Sequence, residues 1–209
     1  MPDESLASRR PLKSRTRPWA QALAGALTRG GAAPDHISVA SVGFAIAGAA
    51  LLAAGPGPVA LVATAACVQL RLLCNLLDGM VAVEGGRRSP VGALYNEIPD
   101  RLADSLFIVA LGYAAGEPAA GWAGALAAAV TAYIRVLGGT LGLPQDFRGP
   151  MAKPHRMAAM TVACLVAAIE LPVGGTLWSL KAASWLIVAG SALTCITRTR
   201  AIARGLRAR

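Results

Sequence analysis

The chain has 209 residues, of which 55% are hydrophobic, with a mean hydropathy of +0.54 and a formal net charge of +9. Soluble domains have about 45–50% apolar residues, so this composition excludes an ordinary soluble domain and favours one compact membrane domain. The positive charge could indicate a nucleic-acid partner. However, the basic residues flank apolar segments, where anionic lipid headgroups account for them, and we expect no nucleic acid.

Residues 1–30 form a basic N-terminal arm. Within it, TRPWAQALAGALTRG (16–30) can form an amphipathic helix with Trp19, Leu23 and Leu27 on one face. Such a helix is expected to lie along the membrane surface. No long apolar stretch follows the charges of the arm, so the sequence does not predict a signal peptide.

Six apolar segments follow the arm, separated by breaks rich in Gly and Pro. Each segment is close to the ~20 residues that cross a bilayer. We therefore predict an all-α integral membrane domain of six transmembrane helices over residues 31–197, followed by a basic tail at 198–209. The segments cover about residues 37–55, 59–83, 91–115, 119–142, 157–173 and 177–197.

The distribution of basic residues predicts the orientation of the spans. Sixteen of the 20 Lys and Arg residues lie in the arm, in the connections after the second and fourth segments, and in the tail. The opposite connections hold only Lys181. The positive-inside rule then places both termini in the cytoplasm of a bacterial-type cell membrane.

Acidic side chains are concentrated where the second segment ends and the third begins. Acids are costly at membrane depth and usually mark a site. Asn75 and Asp78 are three residues apart, and Asn96, Asp100 and Asp104 follow one another at intervals of four. Each set lies along one face of a helix. Two such rows of oxygen donors, at one depth on the cytoplasmic side, are suited to hard cations such as Mg²⁺.

A purely structural alternative is that these acids pair with nearby arginines. Arg71 precedes Asn75 by one helical turn, and Arg101 adjoins another of the acids. Such pairs would hold the bundle together without catalysis. This alternative does not explain Gly79 and Gly92, which leave the backbone open to a ligand.

The same segment resembles the signature of the CDP-alcohol phosphotransferase (CDP-alcohol phosphatidyltransferase) family, D-x2-D-G-x2-A-R-x8-G-x3-D-x3-D. Every spacing of the signature is kept, but Asn replaces the first and third Asp, and Val replaces the Arg. The positions of the signature are occupied by Asn75, Asp78, Gly79, Ala82, Val83, Gly92, Asn96 and Asp100. With the six-segment plan, the resemblance extends from about residue 30 to residue 197.

The resemblance implies a role for each matched position. Two divalent ions, Mg²⁺ or Mn²⁺, would be held by Asn75, Asp78, Asn96 and Asp100. Asp100 would be the catalytic base that deprotonates the acceptor hydroxyl. The positions that would pack against the cytidine nucleotide are Gly79, Ala82 and Gly92. The Asn amide oxygens can still bind a metal, and the candidate auxiliary acids are Glu97, Asp104 and Glu84. The missing Arg could be replaced by Arg87 or Arg88.

A second polar cluster is a candidate site for the acceptor or its phosphate. Arg135 lies in the fourth segment, and Lys153, His155 and Arg156 lie just before the fifth. A buried Arg needs an anionic partner, and Arg and Lys beside a metal site suit a phosphate or carboxylate. The alternative is ordinary cytoplasmic flanking charge, with His155 on the surface.

The resemblance implies a membrane transferase of phospholipid biosynthesis. It would move a phosphatidyl group from a CDP-linked lipid such as CDP-diacylglycerol to a small polar alcohol, free or phosphorylated, and release CMP. The family also implies a homodimer surrounded by membrane lipids. Two alternatives remain open: a non-catalytic member that binds nucleotide or lipid, and a small transporter. The transporter is disfavoured because the acids concentrate at one end of the spans.

Overall fold

The computed structural model describes residues 17–83, 86 and 91–209. These ranges form seven α-helices and no strand, which confirms the all-α prediction. The helices are α1 (Pro18–Arg29), α2 (Pro34–Ala53), α3 (Pro58–Val83), α4 (Gly92–Ala114), α5 (Pro118–Thr140), α6 (Lys153–Gly174) and α7 (Trp178–Arg207). Glu84, Arg87, Arg88 and residues 1–16 of the basic arm lie outside the described residues.

Local sequence signals explain where the helices begin and end. Four helices begin with a proline, whose preset φ and missing N–H suit the first turn. These prolines are Pro18, Pro34, Pro58 and Pro118. At the end of α6, Gly175 has a φ of 63°, the left-handed conformation in which glycine commonly caps a helix.

Five helices, α2, α3, α5, α6 and α7, are long and apolar enough to cross a bilayer, which supports an integral membrane protein. The third predicted span forms α4, but α4 is not one of the five. Its 23 residues include four charged side chains, Glu97, Asp100, Arg101 and Asp104. By length and composition, the structure therefore supports five of the six predicted spans.

Successive helices from α2 to α7 alternate in direction. The starts of α2, α4 and α6 consequently meet the ends of α3, α5 and α7 at one end of the bundle. Contacts at this end join Ser38 to Asp78, Glu97 to Arg135, and Asp100 to Lys153. We refer to it as the charged end.

Small residues allow the helices to approach closely away from the charged end. A Cβ added to Gly112 of α4 would lie 2.5 Å from the Cα of Gly121 of α5. A Cβ on Gly48 of α2 would lie 2.5 Å from the ring of Phe107, which is fully buried. Close backbone approach of this kind is typical of membrane helix packing.

The predicted amphipathic helix is present as α1. Its buried face, Ala20 and Ala24, packs on an apolar cluster near the end of α3 that includes Leu77 and Met80. Trp19, on the predicted apolar face, is 53% exposed. The helix therefore covers the part of α3 that carries Asp78.

Candidate active site

Helix α3 contributes the first two motif positions. Asp78 is buried, and its Oδ2 accepts a hydrogen bond from the Ser38 hydroxyl of α2 at 2.6 Å. One turn earlier, the side-chain amide of Asn75 donates to Oδ1 of Asp100 at 2.9 Å. Two motif positions on α3 and α4 are thus joined by a direct hydrogen bond.

Asp100 of α4 lies at the centre of the charged end. The Lys153 ammonium of α6 lies 2.5 Å from its Oδ2, and the Arg71 guanidinium of α3 lies 3.2 Å from its Oδ1. Arg101 is farther away, with 3.7 Å between Nη2 and Oδ2. Asp78 is near enough to Asp100 and Lys153 to interact with both charges. The two surviving motif carboxylates therefore belong to one electrostatic cluster.

One turn further along α4, Asp104 is held between two arginines. Its Oδ1 lies 2.7 Å from Nη2 of Arg71, and its Oδ2 accepts a hydrogen bond from Arg156 of α6 at 2.9 Å. Arg71 has no solvent-exposed surface, and Arg156 also donates to the carbonyl of Met151. Buried charges require such pairing, so this arrangement ties α3, α4 and α6 together.

Arg135 finds its predicted anionic partner within the protein. Its guanidinium contacts Glu97 of α4 at 2.5 Å and donates to Gln145 at 2.9 Å. The ring of Phe147 lies under the guanidinium, with its centroid 5.4 Å from Cζ. Glu97 also pairs with Arg101 at 3.3 Å. Arg135 is thus held at the charged end, between α4 and the connection that follows α5.

Other predicted site residues differ in position and burial. Asn96 begins the α4 row but is exposed, as is His155. Half-buried positions near the end of α3 and the start of α4 are occupied by Gly79, Ala82 and Gly92. Of the candidate auxiliary acids, Glu97 and Asp104 are the paired side chains described above, and Glu84 falls outside the described residues.

The structural alternative considered for the acids is also present in the molecule. Arg71 pairs with Asp100 and Asp104, and Arg101 pairs with Glu97 and Asp100. The Arg71 pairs join α3 to α4 and the Arg101 pairs lie within α4, whereas the side-chain partner of Asp78 among the described residues is the neutral hydroxyl of Ser38. Structural pairing therefore accounts for Asp104 better than for Asp78.

The donors that converge fit a divalent cation of the Mg²⁺ type. Among the described residues, no three His, Cys, Asp or Glu side chains are grouped to hold a metal alone. The converging donors are two carboxylates, Asp78 and Asp100, with the Asn75 amide beside them. Mg²⁺ is commonly bound by one or two carboxylates, with substrate phosphates and waters completing its shell. The donor set is sufficient for that mode of binding.

Sequence reasoning missed three polar or aromatic contacts of the cluster. Ser38 precedes its partner Asp78 by 40 residues, and no local pattern links the two. Gln145 and Phe147 lie in an irregular connection, so helical periodicity could not place them beside Arg135. Only the packing of the helices reveals these neighbours.

Comparison with known proteins identifies relatives over most of the chain, although no family model matches. Archaetidylinositol phosphate synthase of Aeropyrum pernix is 31% identical over 128 residues. The match covers 61% of this chain and 66% of that protein, so the chain spans just under two thirds of this relative's length. Phosphatidylinositol phosphate synthase of Mycolicibacterium smegmatis is 27% identical over 188 residues, 86% of this chain and 82% of that protein.

The fold is also found among solved structures. Phosphatidylinositol phosphate synthase PgsA1 of Mycobacterium tuberculosis, with CDP-DAG bound, has a TM-score of 0.72 and 26% identity. The alignment covers 88% of this chain and 92% of that chain. The same protein has also been solved in complex with manganese and citrate, with a TM-score of 0.73. The chain therefore belongs to the CDP-alcohol phosphatidyltransferase family, as its fold, its relatives and the spacing of its polar residues indicate.

Proposed function

We propose that the protein transfers a phosphatidyl group from CDP-diacylglycerol, or a similar CDP-linked lipid, to a small polar alcohol in phospholipid biosynthesis. The acceptor oxygen forms a bond to the phosphorus that carries the lipid. The bond from that phosphorus to the bridging oxygen breaks, and CMP leaves. The observation that carries this proposal is the convergence of Asp78, Asp100, Asn75 and Lys153 at the charged end.

The motif positions on α3 and α4 are the proposed metal ligands. Asp78 and Asp100 supply charge, and the amide oxygens of Asn75 and Asn96 supply neutral donors. A bound Mg²⁺ or Mn²⁺ contributes positive charge that neutralises the diphosphate. The half-buried positions Gly79, Ala82 and Gly92 would border the nucleotide, as the family signature implies.

Asp100 is the proposed general base for the acceptor hydroxyl. Asn75 and Arg71 hold one of its oxygens, and Lys153 lies at the other. Lys153 has a flexible side chain that ends in a single charge, so its ammonium can move from the carboxylate to a substrate phosphate. That movement would free Oδ2 of Asp100 to accept the proton.

Arg135 and Lys153 are the proposed contacts for an anionic acceptor, such as glycerol phosphate or an inositol phosphate. Arg135 is held by Glu97 and Gln145, which fixes its planar fork at the charged end. Arg156 is buried against Asp104, so its contribution to phosphate binding would require it to leave that partner. His155 is exposed beside them and could contact the acceptor at the rim.

The arrangement in the membrane is part of the same proposal. Six helices, α2 to α7, cross the bilayer, and α1 lies along the cytoplasmic surface with Trp19 towards the lipid. The basic arm (1–30), the membrane domain (31–197) and the tail (198–209) follow one another, with both termini and the site facing the cytoplasm. We further propose a homodimer.

The direct test is CMP release from CDP-diacylglycerol by purified protein, with Mg²⁺ or Mn²⁺, against a panel of polar alcohols and their phosphates. Metal-dependent release with one acceptor, abolished by a chelator, is the expected result. Cytidine-nucleotide binding without CMP release from folded protein would favour the non-catalytic alternative. Acceptor uptake into vesicles without CMP release would favour the transporter.

A further inference from the structure

Most hydroxyl side chains of the described helices bond within their own helix, and Ser38 is an exception, as is Ser179, which donates to Glu170 of the neighbouring helix. Ser41, Thr161 and Ser184 each donate to a carbonyl three or four residues earlier in their own helix. This is the usual local partner of a helical hydroxyl. Ser38 instead donates across to the carboxylate of Asp78 on α3, and both side chains are buried.

The partner of Ser38 distinguishes Asp78 from the acids of α4. Asp100 and Asp104 each contact at least two cationic side chains. Within the described part of the chain, Asp78 forms no ion pair, and its side-chain partner is the neutral hydroxyl of Ser38 at 2.6 Å. A hydroxyl can orient a buried carboxylate, but it does not neutralise the charge. The arrangement therefore leaves Asp78 oriented while its charge is available to a cation.

We propose that Ser38 is a positioning residue for metal binding by Asp78, an inference that rests on the proposed function. The donated hydrogen bond holds Oδ2 and restricts the rotation of the carboxylate, so that its negative charge is presented to the ion in one orientation. Hydrogen bonds that hold metal-binding carboxylates typically change metal affinity 10- to 100-fold when they are removed. Ser38 acts through Asp78 and touches neither substrate nor metal.

The test is Mn²⁺ binding to purified protein without substrate, followed by electron paramagnetic resonance of the free ion. Ser38→Ala should weaken binding about 10- to 100-fold, whereas Ser38→Thr, which keeps the hydroxyl, should restore it. Ser184→Ala is the matched control, because Ser184 is also buried but donates to the backbone carbonyl of Leu180 in its own helix. Ser184→Ala should bind Mn²⁺ like the wild type.

A second pair of variants keeps the test valid if Ser38→Ala does not fold. Thr and Val have nearly the same shape and differ in the hydroxyl, so Ser38→Val should bind Mn²⁺ at least about tenfold more weakly than Ser38→Thr. If Ser38→Val and Ser38→Thr bind Mn²⁺ equally and the wild type binds it normally, the proposed role of Ser38 is wrong but the proposed function is not affected. Failure of the wild type to bind Mn²⁺ and to release CMP would overturn both this inference and the proposed function.

Discussion

Two acids one turn apart on α4 have different surroundings, so the same substitution should affect them differently. Asp104 is 3% exposed and contacts two arginines from two other helices. Asp100 is shared among an arginine, a lysine and an amide, and it lies nearer to Asp78 in the proposed site. We assign the first to the stability of the bundle and the second to chemistry.

Asp100→Asn should abolish CMP release and leave the protein folded. The amide oxygen can still accept the hydrogen bond from Asn75, the flexible Lys153 can turn away from the amide nitrogen, and Arg71 keeps Asp104 as its partner, but an amide cannot take the proton. CMP release and thermal unfolding in detergent measure the two effects. Asp146→Asn, in the connection after α5, is the control and should remain active. Near-normal turnover by Asp100→Asn would contradict its assignment as the base.

Asp104→Asn should destabilise the protein by about 3–5 kcal/mol, because it leaves Arg156 buried without an anion. Denaturant titration in detergent measures this loss. Glu117→Gln is the comparison, since Glu117 lies 3.8 Å from Lys181 in a partly exposed pair and such pairs contribute at most about 1 kcal/mol. Equal stability of the two variants would argue against the proposed role of Asp104.

Arg135→Ala should raise the KM for an anionic acceptor more than it lowers kcat, because the charge acts on binding. Arg135→Lys should recover part of the acceptor binding, since it keeps the positive charge but not the planar guanidinium. Arg148→Ala is the control, because Arg148 is exposed and paired with Asp146. Steady-state kinetics with the acceptor found in the CMP assay measure the effect. An unchanged KM would remove Arg135 from the acceptor site.

At the scale of single residues, the sequence predicts the neighbours of those side chains whose positions follow helical periodicity. The intervals of three and four residues are sufficient to predict that Asp78, Asn75 and Asp100 lie close together. They also suggested that Arg71 would pair with the acids. Ser38 could not be found this way, because its contact depends on how α2 crosses α3. The exposure of Asn96 likewise depends on which side of α4 faces the bundle.

At the scale of the helix, the apolar segments were predicted within a few residues, apart from the last. Segment 91–115 became Gly92–Ala114, but the segment predicted to end at 197 continues to Arg207. The reason is that Arg198 is buried, where it donates to the carbonyls of Thr131 and Arg148. A basic residue read as the start of the tail is therefore internal to α7.

The contact between α4 and α5 depends on two facing glycines. Gly112→Ala should destabilise the bundle by about 1–3 kcal/mol, because its Cβ would meet the backbone of Gly121. Gly43→Ala on α2 is the matched control: nothing lies within 4 Å of the added Cβ, and Ala favours a helix. Thermal unfolding in detergent should show a lower Tm for Gly112→Ala and no decrease in Tm for Gly43→Ala. A tolerated Gly112→Ala would mean that the two helices can separate without cost.

For the whole molecule, the alternation of helices determines which connections share a side of the membrane. Glu117 precedes α5 at the end opposite the charged end, and Arg207 ends α7 at the charged end. This separation allows the proposed orientation to be tested independently of activity.

Glu117→Cys should react with a membrane-impermeant maleimide in intact cells, whereas Arg207→Cys should react only after permeabilisation. The parent protein provides the background, because its four cysteines are buried or half-buried. The reverse labelling pattern would place the charged end outside the cell and contradict the positive-inside prediction.

The separation of the charged end from the half of the bundle that holds the contact between Gly112 and Gly121 also affects how the chain can change over time. In the half that contains Gly112, Gly121 and Phe107, a substitution is constrained mainly by volume, so compensating changes between neighbours are simple swaps of size. At the charged end, a change at Asp104 must be answered by Arg71 and Arg156, on two other helices, at once. Sequence divergence should therefore be gradual in one half and occur in linked sets in the other.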